Sequence, residues 1–279
     1  MKPSIAPALI AIAPLFIATA GDIKPLNVDG GITGYSLVWH DEFDGSAVNT
    51  NDWYYRTGER LLSFQKPENV SVSGGQMHLA LKKEDAGKLH YTAGGLISKR
   101  VFKYGYFEAC YRCPKSAGWH TSFWTMYYAP PKSASVDYAA TIESQGAKTA
   151  HARAQEIDIC EQDSANNRSY SAGVIDWSGQ HGKKSENFGR VYYRDTVPDF
   201  AAGFHVWGCE FTPDETKFFL DGKLTHKTDG KKFPHGDHNV WLTSVGALWG
   251  NPKKPDHIDD AALPAAADFD WVRVYEKKP

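Results

Sequence analysis

The chain has 279 residues, of which 42% are hydrophobic, 13% aromatic and 23% charged, and its formal net charge is −2. This length and composition are typical of a globular protein that buries one large core or two small ones. The near-neutral charge and the lack of a long basic run argue against a nucleic-acid partner, because phosphate binding requires a dense cationic patch.

Residues 1–20 have the pattern of a secretory signal. A lysine precedes an apolar stretch from about Ile5 to Ala18, and the small residues up to Ala20 match a cleavage pattern. A membrane anchor is the alternative, but the apolar run is short for a span and is interrupted by prolines. We therefore predict export with cleavage after Ala20, a short leader over residues 21–34, a secreted or periplasmic location and no membrane association of the mature chain.

From Tyr35 onward the chain has the pattern of a succession of short strands. Each candidate strand is rich in Val, Ile, Phe, Tyr and Trp and is bounded by Gly, Pro, Asn or Asp. In chain order the candidates are YSLVWHDEF, VSVSGGQMHLALKK, GGLISKRVFKYGYFEACYRC, HTSFWTMYY, QEIDICEQ, YSAGVIDWS, HVWGCEFTP, TKFFLDGKLTHKT, NVWLTSVGAL and FDWVRVYEK. The SGGQ and LDGK sequences within them are typical of tight hairpins.

Helical periodicity is limited to a short turn near residues 261–266. Many short strands without interleaved helices predict an all-β fold, either a sandwich or a barrel. Because no linker interrupts the strands, we predict a single domain over residues 35–279. A long, small and polar loop over residues 129–154 comes directly before a cluster of carboxylates, so we expect it to form one wall of a site.

The chain contains four cysteines, Cys110, Cys113, Cys160 and Cys209. Cys110 and Cys113 form a C-x-x-C pair, but no βαβ pattern surrounds them and no second C-x-x-C completes a zinc site. An exported chain can form disulfides. Buried thiols and one structural bridge therefore both remain open, and the spacing does not define the pairing.

Three carboxylates lie within the six residues EIDICE, namely Glu156, Asp158 and Glu161. Hydrolysis of a glycosidic bond uses two carboxylates, which stand about 5–5.5 Å apart in the retaining mechanism. Glu156 and Asp158 share one face of an extended strand. Glu161 lies an odd number of positions from Glu156, so in a regular strand its side chain points to the other face.

A β-bulge would place all three carboxylates on one face. One extra residue near Ile159 or Cys160 returns Glu161 to the face of Glu156, and bulges are frequent beside active sites. Asp158 then lies between the two glutamates, where it can hydrogen-bond Glu156 and shift both pKa values. The alternative is an ordinary strand with a solvated acidic face, although three crowded like charges destabilise such a strand.

The bulged motif and its surroundings resemble glycoside hydrolase family 16, whose motif is E-x-D-x-E or the bulged E-x-D-x-x-E of its laminarinase- and agarase-like branch. The other segments that resemble family patterns, in the family's order, are LVWHDEFDG, PENVSVSGGQMHLAL, GGLISKRVFKYGYFEACYRCP, GWHTSFWTM, FHVWGCEFTPDETKFFLDGK and FDWVRVYE. The resemblance implies a two-sheet antiparallel β-sandwich, the concanavalin A-like jelly roll, with a concave substrate cleft.

The resemblance also implies endo-acting, retaining hydrolysis of internal β-linkages in a polysaccharide. Glu156 would be the nucleophile, Glu161 the acid/base and Asp158 the assisting carboxylate. The implied substrate-binding residues are Trp119, Trp124, His120, Trp177, His181, Trp249, Asn69 and Arg100. Each has an ordinary alternative, because a Trp can belong to the core and a His or Arg to the solvated surface.

The reaction itself requires no cofactor. Many relatives carry a structural calcium on the convex side, and the corresponding ligands here are the Asp270 carboxylate and the backbone carbonyls of Glu42 and Gly75. Oxygen ligands of this kind are those that calcium prefers. Asp270 equally fits the cap of a turn, so both interpretations remain open.

The polysaccharide is less well defined by the sequence. In the family that the chain resembles, the bulged motif is usual in laminarinase-like and galactanase-like members, which argues against lichenase-type and plant xyloglucan-type enzymes. From the resemblance as a whole we expect a β-1,3-glucan of the laminarin type. The runs WHTSFW and YTAGGLISK replace the W-P-A-F-W and Y-T-S-G-R/K runs that are common in laminarinase-like members, which keeps agar, porphyran and carrageenan open as substrates. Basic cleft residues would favour a sulfated galactan, and Arg56, Arg60 and Arg100 are candidates or ordinary surface charges. A non-catalytic carbohydrate-binding jelly roll is the alternative from another class, and in each case we expect a monomer.

Overall fold

The computed structural model describes residues 32–129, 152–178, 185–195, 197–247 and 258–277. Within these ranges the chain forms almost only β-strands. The strands are β1 (Tyr35–Asp41), β2 (Trp53–Tyr55), β3 (Gly58–Arg60), β4 (Ser63–Gln65), β5 (Val70–Ser73), β6 (Gln76–Ala86), β7 (Leu89–Ala93), β8 (Gly95–Phe102), β9 (Gly105–Arg112), β10 (Trp119–Ala129), β11 (Ala152–Asp163), β12 (Ser169–Asp176), β13 (Glu186–Arg194), β14 (His205–Phe211), β15 (Glu215–Leu220), β16 (Lys223–Asp229), β17 (His238–Gly246) and β18 (Ala265–Lys277). The two short 3-10 helices are Pro67–Asn69 and Asp260–Ala262.

These strands form two sheets. The larger sheet has 11 strands in the order β16-β15-β14-β9-β18-β6-β7-β4-β3, with β1 beside β18 and β5 beside β6. The smaller sheet has seven strands in the order β13-β12-β11-β10-β17-β8-β2. Neighbouring strands are antiparallel, except that β4 and β7 pair in parallel. The predicted all-β, two-sheet antiparallel sandwich is confirmed, with this one parallel pair as the exception.

The main core lies between the two sheets, because alternate residues of the facing strands point inward. The larger sheet contributes Phe107 and Tyr111 from β9. The smaller sheet contributes Phe123 from β10, Ile157 from β11 and Val174 from β12. Burial of each of these side chains stabilises the fold by roughly 1.5–3 kcal/mol. The core therefore determines which residues of β10, β11 and β12 point to the opposite face.

That opposite face of the smaller sheet carries a second apolar cluster. Its buried members are Ile97, Trp124, Met126, Tyr128 and Trp241. The rings of Trp124 and Trp241 stack with their centroids 4.5 Å apart. The outer face of the smaller sheet thus has a close-packed aromatic floor instead of the polar surface that is usual for an antiparallel sheet.

All four cysteines are buried free thiols. Burial raises the pKa of Cys110 to about 12, so this thiol stays protonated at neutral pH. Of the two possibilities that the sequence left open, the structure has buried thiols and no bridge.

The predicted signal segment and the leader up to residue 31 lie outside the described residues, as do residues 130–151 of the predicted long loop. The first described strand begins at Tyr35. In the described ranges, no helix has the length and apolar character needed to cross a membrane.

Candidate active site

The strand β11 contains the predicted bulge. Against β10, Cys160 pairs with Phe123 and Asp158 pairs with Trp124, so Ile159 between them has no partner. Against β12, the register also shifts directly after Asp158. Ile159 and Cys160 both belong to the core between the sheets, as expected where an inserted residue interrupts the alternation of a strand.

The bulge brings Glu156 and Glu161 to one face of the sheet. Both side chains line a single cavity on the outer face of the smaller sheet, here called the central cavity. Its other walls include Arg56, Arg60, Arg153, His120 and Trp124. The prediction that the two glutamates share a face, in spite of their odd spacing, is confirmed.

Glu156 lies in a partly desolvated position. The indole Nε1 of Trp177 donates a hydrogen bond of 2.6 Å to Oε2 of Glu156. Burial and the charge of Asp158 raise the pKa of Glu156 to about 8, against the opposing effect of the Arg153 guanidinium. The protonated form of Glu156 is therefore more favoured in the free protein than that of an ordinary glutamate.

Glu161 has a different environment from Glu156. Its Oε1 lies 3.0 Å from His120 Nε2, and its Oε2 forms an ion pair with the Arg190 guanidinium and accepts a hydrogen bond of 3.5 Å from Ser171 Oγ. Burial lowers the pKa of His120 to about 4, so its imidazole is neutral at neutral pH. The two glutamates are thus chemically distinct, one favouring the protonated form and the other paired with a cation.

Asp158 lies between the glutamates and is almost completely buried, with 1% of its surface exposed. The Arg190 guanidinium donates a hydrogen bond of 2.6 Å from Nη1 to Asp158 Oδ2. One arginine therefore contacts both Asp158 and Glu161. It fixes their relative position with charge-assisted bonds, which are stronger than neutral ones.

Arg190 reaches this position through a second irregular strand. In the pairing of β12 with β13, the register shifts so that Gly173 faces the pair Gly189–Arg190. Gly189 has a φ of +58°, a conformation that favours glycine. A Cβ added to Gly173 would lie 2.6 Å from Arg190 Cα, so only glycine permits this close approach.

The sequence analysis did not identify Arg190. The available signal was a glycine inside each of the two strand sequences, SAGVID and NFGRVYY. An interior glycine in a strand often marks a bulge or a close approach of two backbones.

A family model described as "Glycosyl hydrolases family 16" matches residues 58–272, which include β11 and all three carboxylates. This chain is a family 16 glycoside hydrolase. The fold and the enzyme class that the sequence predicted are therefore confirmed.

The family 16 hydrolase is similar to several known proteins. It is 26% identical to a beta-glucanase of Rhodothermus marinus, over 86% of this chain and 85% of that protein. It is 25% identical to beta-porphyranase E of Zobellia galactanivorans, over 86% of each chain. Among solved structures, the catalytic domain of an endo-1,3-beta-glucanase (laminarinase) from Thermotoga petrophila RKU-1 matches with a TM-score of 0.68 and 25% identity, covering 88% of this chain and 99% of that one.

Three of the substrate-binding candidates of the hydrolase meet at the glutamates. Trp124 and His120 line the central cavity, and Trp177 donates to Glu156. The Trp124 ring is held on the aromatic floor by Trp241, and its Nε1 donates a hydrogen bond of 3.0 Å to Thr243 Oγ1. These contacts fix one flat ring surface next to the carboxylates.

Three other candidates lie away from the central cavity, and their expected role is corrected here. Trp119 is fully buried, where it packs edge-on against Tyr91, so its ring cannot stack on a sugar. Asn69 is buried at the end of a 3-10 helix, and its side-chain amide donates a hydrogen bond to the Ala93 carbonyl at 3.3 Å. Arg100 donates to the Val38 carbonyl at 2.6 Å, in the first strand of the larger sheet.

The remaining two candidates, His181 and Trp249, lie outside the described residues. A cationic residue that the sequence analysis missed does lie at the site. Arg153 lines the central cavity with Glu156, and its guanidinium carbon lies 5.2 Å from the centre of the Trp177 ring.

Of the proposed calcium ligands, Asp270 belongs to β18, Glu42 directly follows β1, and Gly75 lies in the turn between β5 and β6. Burial and the charge of Glu42 raise the pKa of Asp270, whereas the charge of Arg273 and a hydrogen bond with Gln76 lower it. The Glu42 carboxylate is itself held by Arg273 at 2.9 and 2.8 Å. The described residues contain no group of three or more His, Cys, Asp or Glu side chains suited to a metal. The donors therefore fit calcium only through one carboxylate and backbone carbonyls, a set that its preference for oxygen ligands permits.

Proposed function

We propose that this hydrolase is an endo-acting, retaining enzyme that cleaves internal β-linkages of a β-1,3-glucan of the laminarin type. The observation that carries the proposal is the placement of Glu156 and Glu161 in one cavity of a family 16 fold. The similarity to beta-glucanases and to a laminarinase structure supports the choice of a β-glucan.

In the proposed first step, a carboxylate oxygen of ionised Glu156 attacks the anomeric carbon and the glycosidic bond breaks. Glu161 donates its proton to the departing glycosidic oxygen, so the product is a glycosyl-enzyme and a free chain end. His120, 3.0 Å from Glu161 Oε1, and Arg190 hold the acid in place. Before this step the proton held by Glu156 passes by way of Asp158, which lies between the two glutamates, to Glu161, so that Glu156 is ionised and Glu161 is the acid.

In the second step a water molecule attacks the anomeric carbon of the glycosyl-enzyme. Glu161 now removes a proton from that water, Glu156 leaves as a carboxylate, and the β-configuration is retained. The aromatic floor supports this chemistry, because the flat ring of Trp124 offers an apolar surface to a sugar ring.

The direct test is the release of reducing ends from laminarin, lichenan, agarose, porphyran and κ-carrageenan. We expect release from laminarin with a rapid fall in viscosity, which identifies internal cleavage, and a first product in the β-configuration by NMR. Glu156→Gln and Glu161→Gln serve as controls. Unchanged activity in either variant contradicts the assigned roles, and no hydrolysis of any polysaccharide would favour a carbohydrate-binding jelly roll.

A galactan hydrolase is the second candidate. The cluster of arginines at the central cavity and the similarity to beta-porphyranase E favour it. In the same panel it predicts release from porphyran, agarose or κ-carrageenan and none from laminarin.

We also propose that the protein is exported after cleavage at Ala20 and acts as a monomer. The signal-like first 20 residues support export.

We further propose that the Asp270 carboxylate and the Glu42 and Gly75 carbonyls hold a structural calcium. A calcium ion would offset the repulsion between Asp270 and Glu42, and it takes no part in the reaction steps above.

A further inference from the structure

Three buried polar side chains, here called the polar triplet, are joined by hydrogen bonds behind the catalytic strand. The Thr125 hydroxyl on β10 lies 2.9 Å from Nδ1 of His238 on β17. The other ring nitrogen of His238, Nε2, lies 2.9 Å from Oε1 of Gln155 on β11. At most 1% of the surface of each of the three residues is exposed. The polar triplet therefore connects three neighbouring strands of the smaller sheet away from solvent.

The polar triplet lies on the core side of the smaller sheet, opposite the central cavity. Gln155 is two positions from Ile157 and shares its face of β11, and Ile157 belongs to the main core. The imidazole of His238 packs edge-on against Phe211 of the larger sheet, with the ring centres 5.4 Å apart. Glu156, the residue after Gln155, points the other way and lines the central cavity. The polar triplet is thus directly behind the proposed nucleophile.

The hydrogen bonds of the polar triplet have a defined direction. Burial lowers the pKa of His238 to about 3, so its ring is neutral and has one donor and one acceptor nitrogen. Gln155 Oε1 can only accept, so Nε2 of His238 donates to it and Nδ1 accepts from the Thr125 hydroxyl. Both bonds are therefore complementary, and no charge is buried.

Gln155 is a costly residue at this position. Its Nε2 is buried and has no hydrogen-bond partner among the residues that the structure describes, and such a donor destabilises the folded state. Apolar side chains of similar size in place of the polar triplet would avoid that cost. Stability therefore does not account for a glutamine in this core, whereas a buried polar interaction can fix the register of neighbouring elements.

A second bulge lies in β11, just before the segment that carries the nucleophile. Against β10, Gln155 pairs with Tyr127. The next pair joins Arg153 to Tyr128, so Ala154 has no partner. The regular segment between this bulge and the one described above consists of residues 155–158 alone.

The register of this short segment is weakly specified by apolar residues. Its core-facing side chains are Gln155 and Ile157, so one apolar residue alone distinguishes its two faces. Gln155 and His238 both pair with Tyr127, one on each side of β10, and this common height allows their hydrogen bond. A shift of β11 by one residue would break that bond, move Glu156 by about 3.3 Å along the strand and turn it to the other face.

We propose that Thr125, Gln155 and His238 are positioning residues for the nucleophile, because their hydrogen bonds fix the register of β11 and with it the place of the Glu156 carboxylate relative to Glu161. They act through the backbone of β11, since their side chains lie on the face of the sheet opposite the cavity. The inference rests on the proposed function, because it takes Glu156 as the nucleophile.

The alternative is that the polar triplet only stabilises the core, and the two roles differ when all three polar groups are removed together. The apolar variant combines Thr125→Val, Gln155→Leu and His238→Leu, so no member of the polar triplet is left unpaired. Its melting temperature should equal or exceed that of the wild type, because removing both partners of a buried hydrogen bond can be neutral or stabilising. A purely stabilising role then predicts wild-type kcat, whereas a positioning role predicts a lower kcat.

We expect kcat of the apolar variant on laminarin to fall at least about tenfold, because a misplacement of about 1 Å at a catalytic group can lower the rate about 100-fold. KM should change little, because Trp124 and its aromatic floor belong to other strands. Hydrogen–deuterium exchange, followed by mass spectrometry, should be faster in residues 152–163 and unchanged in the other strands. Gln155→Met repeats both measurements with one substitution, at a temperature where circular dichroism shows a folded protein.

Ser244→Ala is the matched control. Ser244 Oγ lies 3.1 Å from Thr121 Oγ1 in another buried hydrogen bond, which joins β17 to β10 but does not reach β11. Its loss should lower the melting temperature and leave both kcat and the exchange of β11 at their wild-type values. A fall in kcat equal to that of the apolar variant would overturn the proposal, because any buried hydrogen bond of this sheet would then have the same effect.

The proposal would also be overturned by wild-type kcat, or by wild-type exchange of residues 152–163, in the folded apolar variant and in Gln155→Met. The exchange measurement needs no substrate. If the wild-type protein hydrolyses no polysaccharide, the proposed function fails, and the exchange of β11 alone then decides whether the polar triplet fixes its register.

Discussion

The substitution Gly173→Ala tests how closely the catalytic carboxylates depend on the packing of β12 against β13. Gly173 faces the backbone of Arg190, and Arg190 contacts both Asp158 and Glu161. A methyl group added at Gly173 on β12 therefore affects the site through Arg190, which lies on the neighbouring strand β13.

The magnitude follows from the distances. The added Cβ would lie 2.6 Å from Arg190 Cα and 2.8 Å from Arg190 Cβ, whereas ordinary contact begins at 3.4 Å. The difference between 3.4 and 2.6 Å requires β13 to move by about 0.8 Å. Overpacking of this kind costs roughly 1–3 kcal/mol of stability, and a misplacement of about 1 Å at a catalytic group can lower the rate about 100-fold.

The assay combines kcat and KM on the preferred polysaccharide with the melting temperature. We expect kcat to fall by one to two orders of magnitude at a temperature where circular dichroism shows a folded protein. Gly203→Ala is the matched control, because a Cβ at Gly203 meets nothing within 4 Å. Wild-type kcat together with a wild-type melting temperature in Gly173→Ala would refute this account of Arg190.

Three further predictions concern the charges of the site and the calcium. Glu156→Gln should lower hydrolysis by at least about 1,000-fold. The same variant should also have a higher melting temperature than the wild type above pH 8. The pKa of Glu156 is raised to about 8, so the wild type loses the stability that the protonated form contributes as the pH rises through that value. Equal melting temperatures of the two proteins at pH 9 would contradict this. Arg153→Gln should shift the acidic limb of the pH profile of kcat/KM to higher pH, because Arg153 lowers the pKa of Glu156. A limb that stays in place or moves to lower pH would show that the two groups are not coupled. Removal of calcium with EGTA should lower the melting temperature of the wild type but not of Asp270→Asn, and an equal response of both proteins would exclude Asp270 as a ligand.

The sequence predicted the carboxylate strand well because parity is a strict rule. An odd spacing between two residues that must act together can be reconciled only by an irregularity between them, and the bulge at Ile159 supplies it. The same rule shows why Trp119 and Trp124 could not both face the cavity, since they are five positions apart on β10. Of the two, Trp124 lies at the cavity and Trp119 lies in the core.

The arginines of the site were harder to predict. Arg153 and Arg190 reach the carboxylates only because β11 and β13 each contain a further bulge. Nothing in the composition around Ala154 marks such a bulge, and a lone arginine in a strand is most often a surface residue. Arg100, which the sequence offered as a candidate or an ordinary surface charge, has the same composition signal, but its side chain donates a hydrogen bond to the Val38 carbonyl. The registers of strands that are far apart in the sequence therefore determine which arginines reach the site.

The two bulges of β11 have a consequence for how this segment can vary. Each bulge reverses the alternation of the strand, so Arg153, Glu156, Asp158 and Glu161 point the same way only while the number of residues between them is kept. Many substitutions at the core positions between them preserve that count. A loss or gain of one residue between Arg153 and Glu161 turns at least one of the charged groups into the core. The length of this stretch is thus more tightly constrained than its composition, and only paired changes of length could keep all four groups on that face of the sheet.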